Sequence, residues 1–241
     1  MIKKIKLSFF SLVVLVVFAS VETPVIASNS YLSSALIKQE LNALWVDDPV
    51  GYKIFVDRME SRLSIYENAF KKASKDHDFS WKLLAAISYQ ESHWDPRAIS
   101  NTGVRGLMML TQRTAKEVGI IKRTDPYQSI SGGAVYFNKI LNSLPDEIPF
   151  TEKVWMSVAA YNLGYGNIVR AKTKAKNLGF DYRSWDQLSQ ALVIILKEKY
   201  EKEISQSINL ETTTEYVERV KLYYRTLNLL DRDKALLMVV N

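Results

Sequence analysis

Residues 83–100 read LLAAISYQESHWDPRAIS and are followed at 103–110 by GVRGLMML, so an apolar run gives way to a loop punctuated by glycines. Ser80 stands before the run as an N-terminal cap, which predicts a helix from Trp81 to about Glu91. Glu91 therefore falls where a buried helix meets a loop. A carboxyl group at such a place is either part of a solvated last turn or a group placed for chemistry, and the rest of the sequence has to distinguish the two.

Apolar residues recur at three- and four-residue steps along most of the chain, which is the pattern of amphipathic helices. Thr111 is placed to cap a short helix that ends before Gly119. The stretch SISGG at 129–133 indicates close packing of a helix against its neighbour. Alternation with a period of two is nearly absent, so the sequence predicts an all-α domain. The predicted helices cover residues 55–73, 81–91, 111–118, 131–144, 151–162, 167–176, 185–196 and 214–230.

The first 20 residues, MIKKIKLSFFSLVVLVVFAS, place three lysines before an uncharged run from Leu7 to Ser20. That run is short for a membrane span of about 20 residues but suits the core of a signal peptide. Val25 and Ala27 are small residues at the spacing that signal peptidase prefers, which predicts cleavage after Ala27 and export to the periplasm or cell envelope. The alternative is a retained N-terminal segment that gives peripheral or anchored association with the membrane.

Composition excludes several kinds of site. The 241 residues include no cysteine, which rules out disulfides, thiol nucleophiles and zinc bound by cysteine. His77 and His93 are the only histidines and lack metal-binding spacing, and no nucleotide fingerprint is present, so we expect neither a metal nor a cofactor. The lysines at 172, 174 and 176 lack interleaved aromatic residues and read as a solvated helix face, so nucleic acid is not an expected partner.

The net charge of the whole chain is +6, and removal of residues 1–27, with three lysines and Glu22, leaves +4. A modest positive excess suits an anionic polymer of the cell envelope. It is equally the charge of a soluble surface with mixed signs.

Four stretches together carry a resemblance: QES at 90–92, GLMML at 106–110, AYNLGYG at 160–166 and TEYVERV at 214–220. They resemble the catalytic domain of the soluble-type lytic murein transglycosylases, and most of all the transglycosylase F branch without its solute-binding-like domain. The resemblance spans about residues 66–228. It implies a lysozyme-like helical fold and cleavage of the MurNAc-β-1,4-GlcNAc bond of peptidoglycan strands, with formation of 1,6-anhydro-MurNAc ends. The predicted organisation is a signal peptide at 1–27, a helical extension at 28–65 and the catalytic domain at 66–230.

Glu91 is the candidate catalytic residue, because glycosidic cleavage needs a carboxylic acid of raised pKa to protonate the leaving oxygen. Tyr89 and Trp94 are expected to supply an apolar wall that raises that pKa. The resemblance implies that Ser100 contacts the peptide-bearing sugar. It also implies that Met109 lines the sugar cleft, at a position where many relatives have Gln.

The resemblance further implies that the hydroxyl of Tyr161 approaches the scissile sugar and the catalytic acid, with Asn162 beside it. Gly164 and Gly166 allow a tight exit from that helix. Tyr216 matches a position in the last helix that contacts the substrate. Relatives often carry a Glu four residues before this Tyr, where the chain has Thr212, and no role is transferred to the neighbouring Glu211.

Two other functions stay open. A hydrolytic, lysozyme-like muramidase needs a second carboxylate, and Asp95, Glu117 and Asp125 are available in the sequence. A non-catalytic peptidoglycan-binding module would use the same cleft, although a binding module has no need of Glu91. A partner in the envelope machinery, such as a secretion or conjugation system, is a further hypothesis.

Overall fold

The structure is a computed structural model that describes residues 22–101, 103–203 and 212–240. The core of the predicted signal peptide lies outside these residues, as does Glu211. Within the described ranges the chain forms ten α-helices and one π-helical turn, and its only β pairing consists of isolated bridges at Ile99, Arg105 and Leu110. The all-α prediction is confirmed. The α-helices are α1 Glu22–Leu44, α2 Pro49–Arg58, α3 Ser64–Ser74, α4 Trp81–Ser92, α5 Gln112–Glu117, α6 Pro126–Ser143, α7 Phe150–Leu163, α8 Tyr165–Asn177, α9 Trp185–Glu203 and α10 Thr212–Val240.

The chain divides into two units, one of which is Asp47–Asn228 and contains every described candidate site residue. The other combines residues from Met1–Val46 and Leu229–Asn241. In that second unit Ile37 and Leu41 are buried along α1, Trp45 is buried just after it, and Ser34 donates a hydrogen bond to Asp233 over 2.5 Å. The predicted catalytic range of 66–230 remains a prediction.

Helix α4 is the centre of the larger unit. All seven residues from Leu83 to Tyr89 are buried, so this helix is enclosed on every side. Ser80 caps it as predicted, because its hydroxyl accepts a hydrogen bond from the N–H of Lys82 over 3.2 Å. Among the remaining helices of this unit, α3 packs on α4 and α6, while α6, α7, α8 and α9 pack in succession.

Several helix boundaries differ from the predictions. The helix expected over 55–73 is α2 and α3 joined by the π-helical turn Met59–Leu63. Helix α6 begins at Pro126 rather than near Ser131, because Asp125 accepts a hydrogen bond from the N–H of Gln128 and proline is favoured in a first turn. Gly119 has the predicted left-handed conformation, with φ of 75°.

In the described part of the chain, none of the helices combines the length and the apolar character that a membrane crossing requires. The predicted cleavage point after Ala27 falls within α1.

Candidate active site

Glu91 lies in the last turn of α4, where the chain reverses sharply. His93 ends the helix in the left-handed conformation, with φ of 52°, and Trp94 follows at 56°. Such conformations are costly for residues other than glycine and persist where the surroundings hold them. Trp94 supplies that support, because it is fully buried and its Nε1 donates a hydrogen bond to the carbonyl of Ala85 over 2.8 Å. The reversal fixes the end of the helix that carries Glu91.

The carboxyl group of Glu91 is enclosed by protein although the residue as a whole keeps intermediate exposure. Burial raises its pKa from 4.5 to about 7, and a hydrogen bond from Tyr216 acts in the opposite direction. The hydroxyl of Tyr216 donates that bond to Oε1 over 2.5 Å. Burial and the nearby Glu91 charge hold the pKa of Tyr216 well above 10, so its hydroxyl keeps its proton. A carboxyl with a pKa near neutrality is suited both to donate and to accept a proton.

Tyr161 lies beside this pair. Its buried hydroxyl donates a hydrogen bond to the carbonyl of Met108 over 2.8 Å, and burial followed by the charge of Glu91 raises its pKa well above 10. Asn162, the next residue, is exposed, and its Oδ1 accepts a hydrogen bond from Thr213 over 3.4 Å. Thr213 stands one helical turn before Tyr216 on α10. The end of α7 and the start of α10 therefore meet at Glu91.

The chain leaves this point through Gly164, which has φ of 85° and stands between α7 and α8. Gly164 gives the tight exit that the sequence predicted there.

The expected apolar wall of Tyr89 and Trp94 has a different position. Two residues along an α-helix are about 200° apart, so Tyr89 and Glu91 lie on nearly opposite faces of α4. Tyr89 instead joins an aromatic cluster, with its ring centroid 4.7 Å from Phe55, 4.5 Å from Trp94 and 4.6 Å from Tyr223. The side chain that acts on the Glu91 carboxyl is Tyr216, and the charge of Glu91 in turn raises the pKa of Tyr161.

The loop from residue 98 to 110 is held by side chains of α4. Ser88 and Ser92 lie one turn apart on the same face of α4, and both donate hydrogen bonds to the carbonyl of Leu107, over 3.0 and 2.8 Å. These two serines were not among the predicted site residues. Their spacing of four residues from each other, on a face of α4 that is otherwise apolar, is the signal that identifies them.

Helix α6 and the segment before it hold the same loop from the other side. Ser129 accepts a hydrogen bond from the N–H of Met108 over 3.0 Å, and Arg123 donates to the carbonyl of Leu110 over 2.7 Å. A side chain at Gly133 would lie within 2.7 Å of Met108, so the glycines of SISGG provide the close packing that the sequence predicted. The loop is thereby positioned as a rigid edge next to Glu91.

Ser100 and Met109 lie on this loop. Ser100 accepts a hydrogen bond from the N–H of Val104 over 3.0 Å, which closes the turn. Met109 is partly exposed and has a left-handed φ of 45°. It directly follows Met108, whose carbonyl binds Tyr161. Met109 is therefore close to the centre of the site, while Ser100 belongs to its outer loop.

The three carboxylates considered as a second catalytic group each have another partner. Asp95 accepts a hydrogen bond from the N–H of Arg97 over 2.9 Å, Glu117 pairs with Lys139, and Asp125 caps α6. None of the three contributes to the shifted pKa of Glu91. Across the residues that the structure describes, no three or more His, Asp or Glu side chains form a group that could hold a metal ion.

Residues 68–183 match the family model described as "Transglycosylase SLT domain". The chain is 42% identical over 192 residues to "Membrane-bound lytic murein transglycosylase F" of Shewanella sediminis, which covers 79% of this chain and 40% of the relative. A protein of the same name from Alcanivorax borkumensis is 47% identical over 146 residues, covering 61% of this chain and 31% of the relative. The chain thus spans well under half the length of these curated relatives.

Among solved structures, the 70 kDa soluble lytic transglycosylase of Escherichia coli is similar with a TM-score of 0.48 and 23% identity, covering 80% of this chain and 30% of that one. The family match, rather than this likeness, confirms the resemblance drawn from the four sequence stretches. Glu91, Met109, Tyr161 and Asn162 all fall within the matched range, and Tyr216 lies beyond it. Residues 68–183 thus match the transglycosylase SLT domain, and most of the chain is about 40% identical to part of the lytic murein transglycosylases F.

Proposed function

We propose that this chain is a peptidoglycan lytic transglycosylase that cleaves the MurNAc-β-1,4-GlcNAc bond and leaves 1,6-anhydro-MurNAc ends. The observation that carries the proposal is the enclosed Glu91 carboxyl, with a pKa of about 7, bonded to Tyr216 inside a site of the SLT family. The names of the relatives, lytic murein transglycosylases, support murein as the substrate.

Glu91 acts twice in the proposed reaction. As an acid it protonates the glycosidic oxygen while the bond to the anomeric carbon breaks. The resulting carboxylate then takes the proton of the muramic acid 6-hydroxyl, whose oxygen forms the new bond to the anomeric carbon. Because that hydroxyl belongs to the same sugar, its attack is intramolecular and needs no second carboxylate. The glycosidic bond is broken, and a bond from the 6-oxygen to the anomeric carbon forms and closes a second ring in the muramic acid. No water is consumed.

The neighbouring residues would hold the sugar and the acid. Tyr216 fixes the orientation of the Glu91 carboxyl, and Tyr161 presents its ring at the same point. Exposed Asn162 and partly exposed Met109 are available for contacts with the sugar, and Ser100 for contacts with the peptide-bearing sugar. Met109 replaces the Gln of many relatives, so its contact would be apolar.

The surroundings of Asp95, Glu117 and Asp125 favour this reaction over hydrolysis, because each is engaged away from Glu91. The proposal includes export through a signal peptide cleaved after Ala27 and a site of action in the periplasm. It also includes a catalytic domain at 66–230. Membrane association, the alternative if the N-terminal segment is retained, and a partner in an envelope machine are further hypotheses.

Digestion of purified sacculi by Glu91→Gln protein tests the assignment. The amide keeps size and hydrogen bonding but has no proton to transfer, so release of soluble muropeptides should fall at least about a hundredfold. Asp95→Asn is the matched acid-to-amide control and should retain activity. Normal release by Glu91→Gln would assign the chemistry to another residue, and a loss with Asp95→Asn would favour hydrolysis with a second carboxylate.

A further inference from the structure

A cavity of about 500 Å³ lies between α5, the second half of α6 and the start of α8. Its size is within the usual range for small-ligand sites. Its lining combines charged and aromatic side chains, which include Arg113, Glu117, Tyr136, Lys139 and Tyr165. None of these residues has a role in the proposed bond cleavage.

The cavity adjoins the catalytic site through two tyrosines. Tyr136 lines the cavity, and its ring centroid lies 5.3 Å from that of Tyr161 in an edge-to-face contact. Tyr161 in turn is close enough to Glu91 for the carboxylate to raise its pKa. A glycan held at Glu91 would therefore bring its substituents near this cavity.

The walls of the cavity are ordered by contacts that do not involve a ligand. The hydroxyl of Tyr165 donates a hydrogen bond to the carbonyl of Ser143 over 2.5 Å, which joins α8 to the end of α6. Ile140 is buried and forms an apolar part of the lining. The space is thus already formed in the protein alone.

The charges in the cavity sum to one positive charge. Glu117 and Lys139 form an ion pair, while Arg113 makes no ion pair with any residue that the structure describes. Arg113 and Lys139 both act on the hydroxyl of Tyr136, so the cations face into the same region. An exposed guanidinium next to a neutral pair is suited to a carboxylate, which it can bind with two parallel hydrogen bonds.

We propose that this cavity binds a free carboxylate of the peptide substituent carried by the glycan strand, with Arg113 as the principal contact. The inference rests on the proposed function and adds a preference for peptide-bearing strands. In a peptide-bearing strand the lactyl carboxyl of MurNAc is bound to the peptide as an amide and the N-acetyl groups are neutral. The sugars then carry no charge, so a charged cavity beside the sugar site fits the peptide rather than another sugar. Arg113 would be a specificity residue and would take no part in the bond cleavage.

Binding measurements on Glu91→Gln protein test this, because that protein does not consume its ligand. The probes are a murein tetrasaccharide with its peptides, the same tetrasaccharide with the peptide carboxylates amidated, and a bare tetrasaccharide of N-acetylglucosamine, which has neither peptide nor lactyl carboxylate. Adding Arg113→Gln should weaken binding of the first probe about tenfold, the value of one charge-assisted hydrogen bond. Amidation should cause a similar loss with Arg113 present and little further loss with Arg113→Gln. Lys116→Gln, an equal charge change on an exposed residue of α5 outside the cavity, is the control and should leave the Kd unchanged.

The inference would be overturned if Arg113→Gln weakened binding of the bare and the peptide-bearing probes equally, or weakened binding of neither. It would also be overturned if Lys116→Gln caused the same loss of affinity. Failure of all three probes to bind would overturn it as well. The proposed function is tested separately by wild-type digestion of sacculi: if no soluble product appears, that function fails, and the Arg113 comparison still decides whether the cavity recognises the carboxylate.

Discussion

The hydroxyl of Tyr216 donates a 2.5 Å hydrogen bond to Oε1 of Glu91, which joins residues 125 positions apart in the sequence. Glu91 ends α4 at the centre of its unit, and Tyr216 stands in the first turns of α10. The bond connects the long last helix to the proposed catalytic acid. It also opposes the effect of burial, so the pKa of Glu91 reflects a balance between the two.

Replacing Tyr216 with Phe should shift the pH dependence of the reaction. The first step needs protonated Glu91, so wild-type activity should fall as the pH rises through about 7. The Tyr216 bond lowers the pKa of Glu91, and its loss should move that fall to higher pH while reducing the maximal rate, because the carboxyl is less well oriented. The rate of muropeptide release, measured across a range of pH, would give both the pH at which activity falls and the maximal rate. Tyr224→Phe, on the same helix, is the control, and a fall that moves to lower pH would contradict the account.

The buried carboxyl of Glu91 should also make stability depend on pH. Its pKa is raised on folding, so the folded state favours the protonated form. That contribution is complete below the ordinary pKa of 4.5 and is lost as the pH rises through about 7. Between about pH 5 and pH 9 the unfolding free energy of wild-type protein should fall by roughly 1–3 kcal/mol more than that of Glu91→Gln protein. Urea unfolding at both pH values measures the difference. Exposed Glu60→Gln is the control, and parallel losses in wild-type and Glu91→Gln protein would contradict the prediction.

Two glycines of the loop should differ in their tolerance of alanine. Gly106 and Gly103 both have positive φ, of 87° and 77°, so alanine strains the backbone at either position. At Gly106 the added Cβ would also lie 2.1 Å from the carbonyl oxygen of Arg123, whereas at Gly103 no atom lies within 4 Å. Gly103→Ala should cost about 1 kcal/mol and Gly106→Ala at least about 3 kcal/mol. Denaturant unfolding of the pair checks this, and equal costs would show that the loop can move away from Arg123.

Much of the fold was predictable because its signals are local. Ser80 and Thr111 cap α4 and α5 through their own side chains, and a cap acts within a few residues. Apolar spacing alone predicts the start of α6 near Ser131, because the Asp125–Pro126 pair that begins the helix lies outside the apolar pattern. The π-helical turn at Met59–Leu63 changes the helical hydrogen bonding without interrupting the apolar pattern, so periodicity did not reveal it.

The position of Glu91 at the end of a buried helix was predictable from the sequence, whereas the side chains around it were harder to predict. Glu91 stood out by its place between an apolar helix and a glycine-containing loop. The residues that enclose it come from α7 and α10, and their approach depends on tertiary packing that spacing does not encode. Tyr89 was assigned to the acid on sequence proximity, whereas helix geometry turns it toward Phe55 and Tyr223. Arg123 and Ser129 also reach the loop through tertiary packing, so the sequence does not reveal their contacts with it.

The ends of the released glycans test the central claim most directly. Intramolecular attack by the 6-hydroxyl leaves a 1,6-anhydro ring, so each product should be one water lighter than the product of hydrolysis and should have no reducing end. Mass spectrometry of sacculus digests before and after borohydride treatment reads both properties. The account predicts anhydro-muropeptides whose mass borohydride leaves unchanged. Hydrated ends that borohydride reduces would contradict it and would identify the chain as a hydrolytic muramidase.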